Sequence, residues 1–597
     1  MKRCASLFAL ANLFLAIYFG MVCIPARAQA NVQGQWTTLP TVMPINPIHV
    51  VLLNTGKVLV VSGSGNDPSV TNYRAGIWDP ITGSTTTWPI SWDMFCNGMA
   101  MLPDGRALIA GGTLQYDPFH GQMRASIFDP LTNSLSDTQS MAHGRWYPTL
   151  TTLSGGRIMA FSGLDETGGT NQTVEIYKAG SGWTTPVTAP WTPPLYPRMH
   201  LLPSGKVFYS GPTASSHIFD PVSGNWSLNV ASTNYGGYRS YGTSVLLPLT
   251  PQNKYSAHVL IMGGGSPATA TTETIDLSAS TLSWQWGPSM SQARTEMNAV
   301  ILPTGKVLAV GGSLNDEDAK SASYNADLYD PVTNTFSSAG ANAFPRLYHS
   351  VALLLADATV WLTGGNPQRG SFQQQVEIYQ PAYLFTTDSG GKVVLAARPT
   401  ISSAPSSIAY SSYFQVGTPD AGNIASVSLV RAGAVTHAFD MDQRMLGLSL
   451  TADTSTNTLT VNGPKNGSLA PPGYYLLFII NNSGVPSQAA FVKVFAQPLF
   501  SISASPVSQT IARGSSVIFT VTVTAVGGFT GTVNLNVSGA TPHVTASLNP
   551  TSVTGSGTST LTVSADNYAA RGIPHKLTVT GTSGNTFHTS SVTVTVQ

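Results

Sequence analysis

A recurring turn of the type Leu-Pro-x-Gly-Lys/Arg marks this chain, with its glycine at Gly56, Gly105, Gly156, Gly205 and Gly305 and with Ala358 in the same place in a last, degenerate copy. Counting back by a constant offset from each turn reaches Pro47, Cys96, Tyr147, Tyr196, Glu296 and His349, and matching Arg239-Ser240-Tyr241 to Arg145-Trp146-Tyr147 puts Tyr241 in the same slot. If the copies superpose, a thiol, three phenols, a carboxylate and an imidazole share one ring, and Tyr348 adds a fourth phenol directly before His349. Imidazole and phenolate ligands with an open position suit Cu(II) better than calcium or magnesium, and two nitrogens are the least such a site requires. The ring itself offers one histidine. Any single polar member could instead be a satisfied group on the rim of a purely structural array.

Positioning such a ring is the work of the repeat. Each unit reads as an apolar strand, the turn, an apolar strand ending in Gly, a polar loop, and an aromatic followed by Asp-Pro, as in Trp78-Asp79-Pro80, Phe128-Asp129-Pro130, Phe219-Asp220-Pro221 and Tyr329-Asp330-Pro331. The period is about 50 residues, and one double-length gap holds a further copy, so the count is about seven. Short strands separated by Gly/Pro turns at this period imply four-stranded blades, and the unit resembles the kelch repeat. The expected fold is all-β: a seven-bladed kelch-type β-propeller over residues 32–396, then two Ig-like β-sandwich domains over 397–497 and 499–597. The last module alternates with period two, as in Val517-Ile518-Phe519-Thr520-Val521, and reads as an accessory domain for surface or polysaccharide attachment.

The chain opens with Lys2 and Arg3, an apolar run from Leu7 to Ile24, and Ala26-Arg27-Ala28, the order of a secretory signal peptide over residues 1–28. Export to the periplasm or the medium is expected, with no membrane span in the mature chain. Lys and Arg number 28 against 27 Asp and Glu in 597 residues, so no electrostatic footprint for nucleic acid exists. Of three cysteines, Cys4 and Cys23 lie in the leader, which leaves Cys96 without an intramolecular partner. A lone thiol in an oxidising compartment is inert core, paired with another molecule, or used chemically.

The segments Asp93-Met94-Phe95-Cys96, Arg145-Trp146-Tyr147 and Arg346-Leu347-Tyr348-His349 resemble the active-site motifs of the galactose oxidase and glyoxal oxidase family of copper-radical oxidases. Thr436-His437, between Ser428-Leu429-Val430-Arg431-Ala432-Gly433 and Asp442-Gln443-Arg444, resembles the hairpin by which the domain after the propeller delivers a second histidine. The resemblance implies one copper ion held by Tyr147, Tyr348, His349 and His437. It also implies a thioether between Cys96 and Tyr147 that serves as a radical cofactor, and Tyr348 as the base. Its reaction would turn a primary alcohol, aldehyde or carbohydrate plus O2 into the oxidised product and H2O2. A secreted, non-catalytic kelch propeller acting in glycan binding or adhesion is the alternative.

Two departures from the galactose oxidase pattern stand out. No carbohydrate-binding module precedes the propeller. Where that enzyme covers the cross-linked tyrosine with a tryptophan, the count reaches Asp165 in Gly163-Leu164-Asp165-Glu166, and Trp146 is another possible cover. Tyr196, Tyr241, Glu296 and Asp165 are the candidates for substrate contact, while Arg145, Arg239 and Arg294 are expected to brace the ring by hydrogen bonds between blades.

Overall fold

A computed structural model describes residues 29–597 apart from 497–498, 527–528 and 585. The signal-peptide reading and the Gln497-Pro498 linker therefore lie outside the described residues. Among the described residues no helix is long and apolar enough to cross a membrane.

Residues 35–380 form antiparallel sheets in succession, as the repeat requires. The first has the order His49–Leu52, Val58–Gly63, Arg74–Trp78, Thr85–Pro89, and six more follow with innermost strands Gly98–Met101, Thr149–Thr152, Met199–Leu201, Thr243–Leu246, Asn298–Ile301 and Ser350–Leu354. Neighbouring innermost strands touch in sequence, and Ser350–Leu354 returns against His49–Leu52, so the array closes as a propeller. Between the fourth and fifth sheets the links include a side-chain bond between His200 Nε2 and Ser244 Oγ at 2.7 Å. The seventh sheet takes its outer strand from the start of the array: Gln35–Val42 pairs antiparallel with Gln375–Gln380. Inner strands such as His49–Leu52 and Val58–Gly63 are buried on both faces, which is why they read as unbroken apolar runs, whereas the outer Thr85–Pro89 is largely wet.

One ion pair recurs inside the blades. Arg145, Arg239, Arg294 and Arg346, each just before a ring residue, face Glu175, Glu273, Asp327 and Glu377 at 2.8, 3.0, 2.7 and 2.6 Å. Each guanidinium also donates through Nη1 to a carbonyl where the second strand ends, at Ser162, Gly263, Gly311 and Gly364. These pairs lie within a blade and not between blades as the sequence reading expected, because the carboxylate sits on the third strand of the arginine's own sheet.

Beyond the propeller, Ser407–Ala409, Ala490–Phe495, Gly473–Asn481, Ile424–Arg431 and Arg444–Leu448 form one sheet, and Tyr413–Gly417, Thr458–Asn462 and Leu450–Asp453 a second. Ala434–Thr436 and Phe439–Asp440 leave this sandwich to join the first blade: Val435 pairs with Val50 and Ala434 with Val51. From Leu499 onward two further sheets form a sandwich whose strands alternate buried and exposed, as in Thr532–Ser538.

Removing one member of a fully buried pair strands the other charge, at about 3–5 kcal/mol. Glu175→Ala is therefore expected to lower the stability of the propeller by that amount in denaturant titration, whereas truncating the half-exposed Lys57, paired to Asp79 at 3.0 Å, should change it by about 1 kcal/mol or less.

Candidate metal centre

The ring inferred from the turns exists, and its backbone has a distinctive conformation. Cys96, Tyr147, Tyr196, Tyr241, Glu296 and His349 adopt φ of 63°, 69°, 44°, 44°, 59° and 66°, the left-handed region that costs a non-glycine residue about 1–2 kcal/mol. Bonds between blades hold several of them there: Tyr147 N–H donates to the Cys96 carbonyl at 3.0 Å, Tyr196 N–H to Tyr147 at 2.9 Å, and Glu296 N–H to Tyr241 at 2.8 Å. Strain of this kind persists only where the surroundings over-determine it.

His437 arrives from the sandwich on the turn Thr436-His437-Ala438-Phe439, with φ of 47° and 64° at its two central residues. That is the twist a two-residue hairpin prefers, although Asn-Gly is its usual sequence. Residues at the hairpin base fasten it to several blades. Asp442 accepts from Arg431 Nε at 3.0 Å, Met101 N–H at 2.7 Å and Thr152 Oγ1 at 2.7 Å. Gln443 donates to the Ala299 carbonyl at 3.0 Å and accepts from Ile301 N–H at 3.0 Å, while Arg444 donates to the Leu201 carbonyl at 2.8 Å.

The two histidines meet tip to tip, with His349 Nε2 and His437 Nε2 2.9 Å apart. Asn366 fixes the tautomer of the first. Its Nδ2 donates to the Ser371 carbonyl, so its Oδ1 is an acceptor and His349 Nδ1 must donate to it, at 2.6 Å. His349 Nε2 is therefore a bare lone pair turned toward His437, whose Nδ1 contacts Thr436 Oγ1 at 2.5 Å. Burial pushes His349 down to about 3 and His437 well below the ordinary histidine range, so both rings are neutral. The phenols of Tyr147 and Tyr348 are hydrogen-bonded to each other beside them. Cys96 Sγ lies 3.8 Å from His437 Nε2, and Cys96, His349 and His437 converge as a group able to hold a metal. Burial raises Cys96, Tyr147 and Tyr348 above their ordinary values.

Of the four substrate candidates, Tyr196 and Tyr241 line a cavity of about 170 Å³ that reaches Tyr147 and His437. Tyr196 also stacks on Tyr147 at 4.5 Å and donates to the Asn97 carbonyl at 2.8 Å. Glu296 is turned away from this space: its Oε2 accepts the Tyr348 N–H at 3.0 Å, and its carboxyl also accepts from Glu317 N–H. Asp165 does not reach the ring, because its carboxylate closes its own loop through Thr167 N–H at 2.8 Å and Gly169 N–H at 2.9 Å. The aromatic cover of Tyr147 is Trp146, stacked at 3.7 Å and 17°, with Phe119 stacked on Trp146 at 4.1 Å.

Sequence reasoning missed His49, whose Nε2 accepts the Cys96 N–H at 2.9 Å, and Asn366. His49 lies off the ring offset in the strand His49–Leu52, and its burial and its bond to Cys96 are visible only in the structure. Asn366 lies in a loop with nothing local to mark it.

Three comparisons bear on this site. The family described as glyoxal oxidase N-terminus matches residues 66–383, and galactose oxidase-like, early set domain matches 398–494. The chain is 28% identical over 502 residues to galactose oxidase of Gibberella zeae, covering 77% of this chain and 70% of that protein. It is 27% identical over 537 residues to aldehyde oxidase GLOX of Vitis pseudoreticulata, covering 78% and 98%. Among solved structures, a fungal alcohol oxidase of the AA5 family in complex with copper superposes with a TM-score of 0.67 at 25% identity, covering 77% of this chain and 99% of that one.

Glu296 is raised to about 10, first by burial and then by the neighbouring Asp316 carboxyl, so the folded protein keeps a proton that the unfolded chain releases near 4.5. Stability from this group falls as pH rises above the ordinary carboxylate range. Glu296→Gln, which keeps an acceptor for the Tyr348 N–H, is expected to lose less thermal stability than wild type between pH 5 and pH 8 (about one carboxylate's titration).

Proposed function

Since this chain belongs to the glyoxal oxidase family, which matches residues 66–383, we propose that it is an exported copper-radical oxidase. It turns a primary alcohol into an aldehyde, or a hydrated aldehyde into an acid, while O2 becomes H2O2. Residues 32–396 carry the catalysis, 397–497 supply His437, and 499–597 are an accessory module. The observation that carries this reading is the pair of buried neutral imidazoles whose Nε2 atoms stand 2.9 Å apart beside two phenols. The donor set fits Cu(II): two imidazole nitrogens and two phenol oxygens, with no carboxylate among them.

His349, His437, Tyr147 and Tyr348 would hold the copper. When bound, copper supplies a one-electron couple and acidifies a hydroxyl presented to it. The chain's own groups do the rest. Asn366 keeps the His349 lone pair aimed inward by taking the Nδ1 proton. Tyr348, whose phenol burial makes reluctant to stay ionised, is the base that takes the substrate hydroxyl proton. Tyr147, joined through a ring carbon to Cys96 sulfur, stores the second oxidising equivalent as a radical spread onto sulfur, and takes a hydrogen atom from the substrate carbon. Trp146 lies flat on Tyr147 and shields that radical from water.

The reading is tested by peptide mapping of copper-loaded, aerobically matured protein. A peptide linking Cys96 to Tyr147, with loss of two hydrogens from the intact mass, is the expected result. Free Cys96 in fully copper-loaded protein would return the chain to the binding-module alternative. His437→Ala is expected to weaken copper binding by about 10–100-fold or more in a chelator competition, with the propeller still folded.

A further inference from the structure

Among the described residues, all but one of the buried arginines are engaged by a carboxylate or by several carbonyls. Arg145, Arg239, Arg294, Arg346 and Arg431 each face a buried carboxylate, and Arg444 is taken up by three carbonyls, those of Leu201, Ser468 and Leu469. Arg198 differs from all of them. It is 5% exposed, yet among the described residues its side chain makes one hydrogen bond, from Nη2 to the Arg239 carbonyl at 3.2 Å, and forms no salt bridge. Burial lowers it to about 10, which leaves it charged at neutral pH, and the groups that act on it are the phenols of Tyr238 and Tyr209 and the like-charged guanidinium of Arg239, none of them an anion at neutral pH. A buried cation without an anion is costly, and such a group stands out when it lines a functional space. Arg198 lines the cavity of about 170 Å³ that also reaches Tyr147 and His437. Tyr238, half-exposed, stands in the same wall, so the cavity has an outlet.

We propose that Arg198 is the specificity residue of this cavity and that the substrate carries a carboxylate: a short hydroxy- or oxo-acid whose oxidised carbon faces Tyr147 and His437 while its carboxylate pairs with the guanidinium. A planar, forked donor matches a carboxylate through two parallel bonds. The size of the cavity suits a compound of a few carbons and not a sugar chain. The oxidation step rests on the oxidase reading above; the anion binding does not. The carboxylate is a spectator in the reaction: glycolate gives up two hydrogens to become glyoxylate, and O2 takes both to become H2O2.

Two measurements test this. Copper-free protein is titrated calorimetrically with glycolate and, in parallel, with ethylene glycol. Binding of glycolate at least about 10-fold tighter than the diol in wild type, weakened about 100-fold in Arg198→Gln and partly restored in Arg198→Lys, is expected. Equal affinity for both compounds in wild type, or glycolate binding unchanged in Arg198→Gln, overturns the proposal, and the wild-type comparison decides it even if the glutamine variant fails to fold. In copper-loaded enzyme, O2 uptake is compared for glycolate against ethylene glycol and glyoxylate against glyoxal. The ratio of kcat/KM within each pair should favour the acid in wild type and fall about 100-fold in Arg198→Gln. A wild type that prefers the neutral members overturns the proposal. No O2 uptake with any of the four, alongside Arg198-dependent glycolate binding, supports the anion site and refutes the oxidase.

Discussion

Six residues ring one centre, one from each of six blades, and each holds a backbone conformation it disfavours. A left-handed φ at Cys96, Tyr147, Tyr196, Tyr241, Glu296 and His349 turns the chain sharply as it enters each innermost strand. The penalty of about 1–2 kcal/mol per residue is met by bonds that cross from one blade to the next, as from Tyr147 N–H to the Cys96 carbonyl. It is met as well by the buried arginine just upstream in four of the blades, whose guanidinium ties the approach segment to the blade's second and third strands. Thiol and phenol thus come together without any contact between them in sequence. The two residues are neighbours because their blades are.

The same constraint explains why the second imidazole comes from another part of the chain. Each blade contributes one ring position, and His349 occupies that of the seventh sheet. A second nitrogen opposite it has to enter along the axis, and the hairpin that carries His437 does so by adding strands to the inner edge of the first blade. Its position is held by Asp442, Gln443 and Arg444, which bond to backbone or hydroxyl groups of four different blades. Domain and propeller are therefore parts of one site, and Arg431 with Asp442 forms the buried ion pair at their junction.

Electrostatically the centre is a cluster of neutral donors under low dielectric. Burial holds the imidazoles unprotonated and the phenols and the thiol protonated, so nothing in the immediate ring balances a cation until phenol protons leave. Such a set disfavours magnesium and calcium, which seek carboxylates, and favours a softer ion that accepts nitrogen and phenolate. Glu296, a carboxyl of the ring itself, is kept neutral and turned to the Tyr348 backbone, where it positions the phenol without adding charge.

What the sequence determined by itself is whatever the repeat encodes. A fixed offset from each turn was enough to find Cys96, Tyr147, Tyr196, Glu296 and His349, and the match of Arg239-Ser240-Tyr241 to Arg145-Trp146-Tyr147 to find Tyr241, because equivalent positions in superposable blades fall on one ring. His437 was found through the resemblance of the segment ahead of Asp442-Gln443-Arg444 to the hairpin of the galactose oxidase and glyoxal oxidase family, and not through the repeat. The direction of each side chain was decided elsewhere. Glu296 and Asp165 look alike as acidic residues near the mouth, yet one braces Tyr348 and the other closes its own turn, since each carboxylate goes to the nearest unpaired N–H that the fold presents. Trp146 covers Tyr147 in a three-ring stack with Phe119, and Phe119 comes from the preceding blade. His49, Asn366 and Arg198 lie off the ring offset and carry no motif. Their roles rest on which partners lie within about 3 Å in space, and non-local hydrogen bonds of that kind leave no trace in the order of residues along the chain.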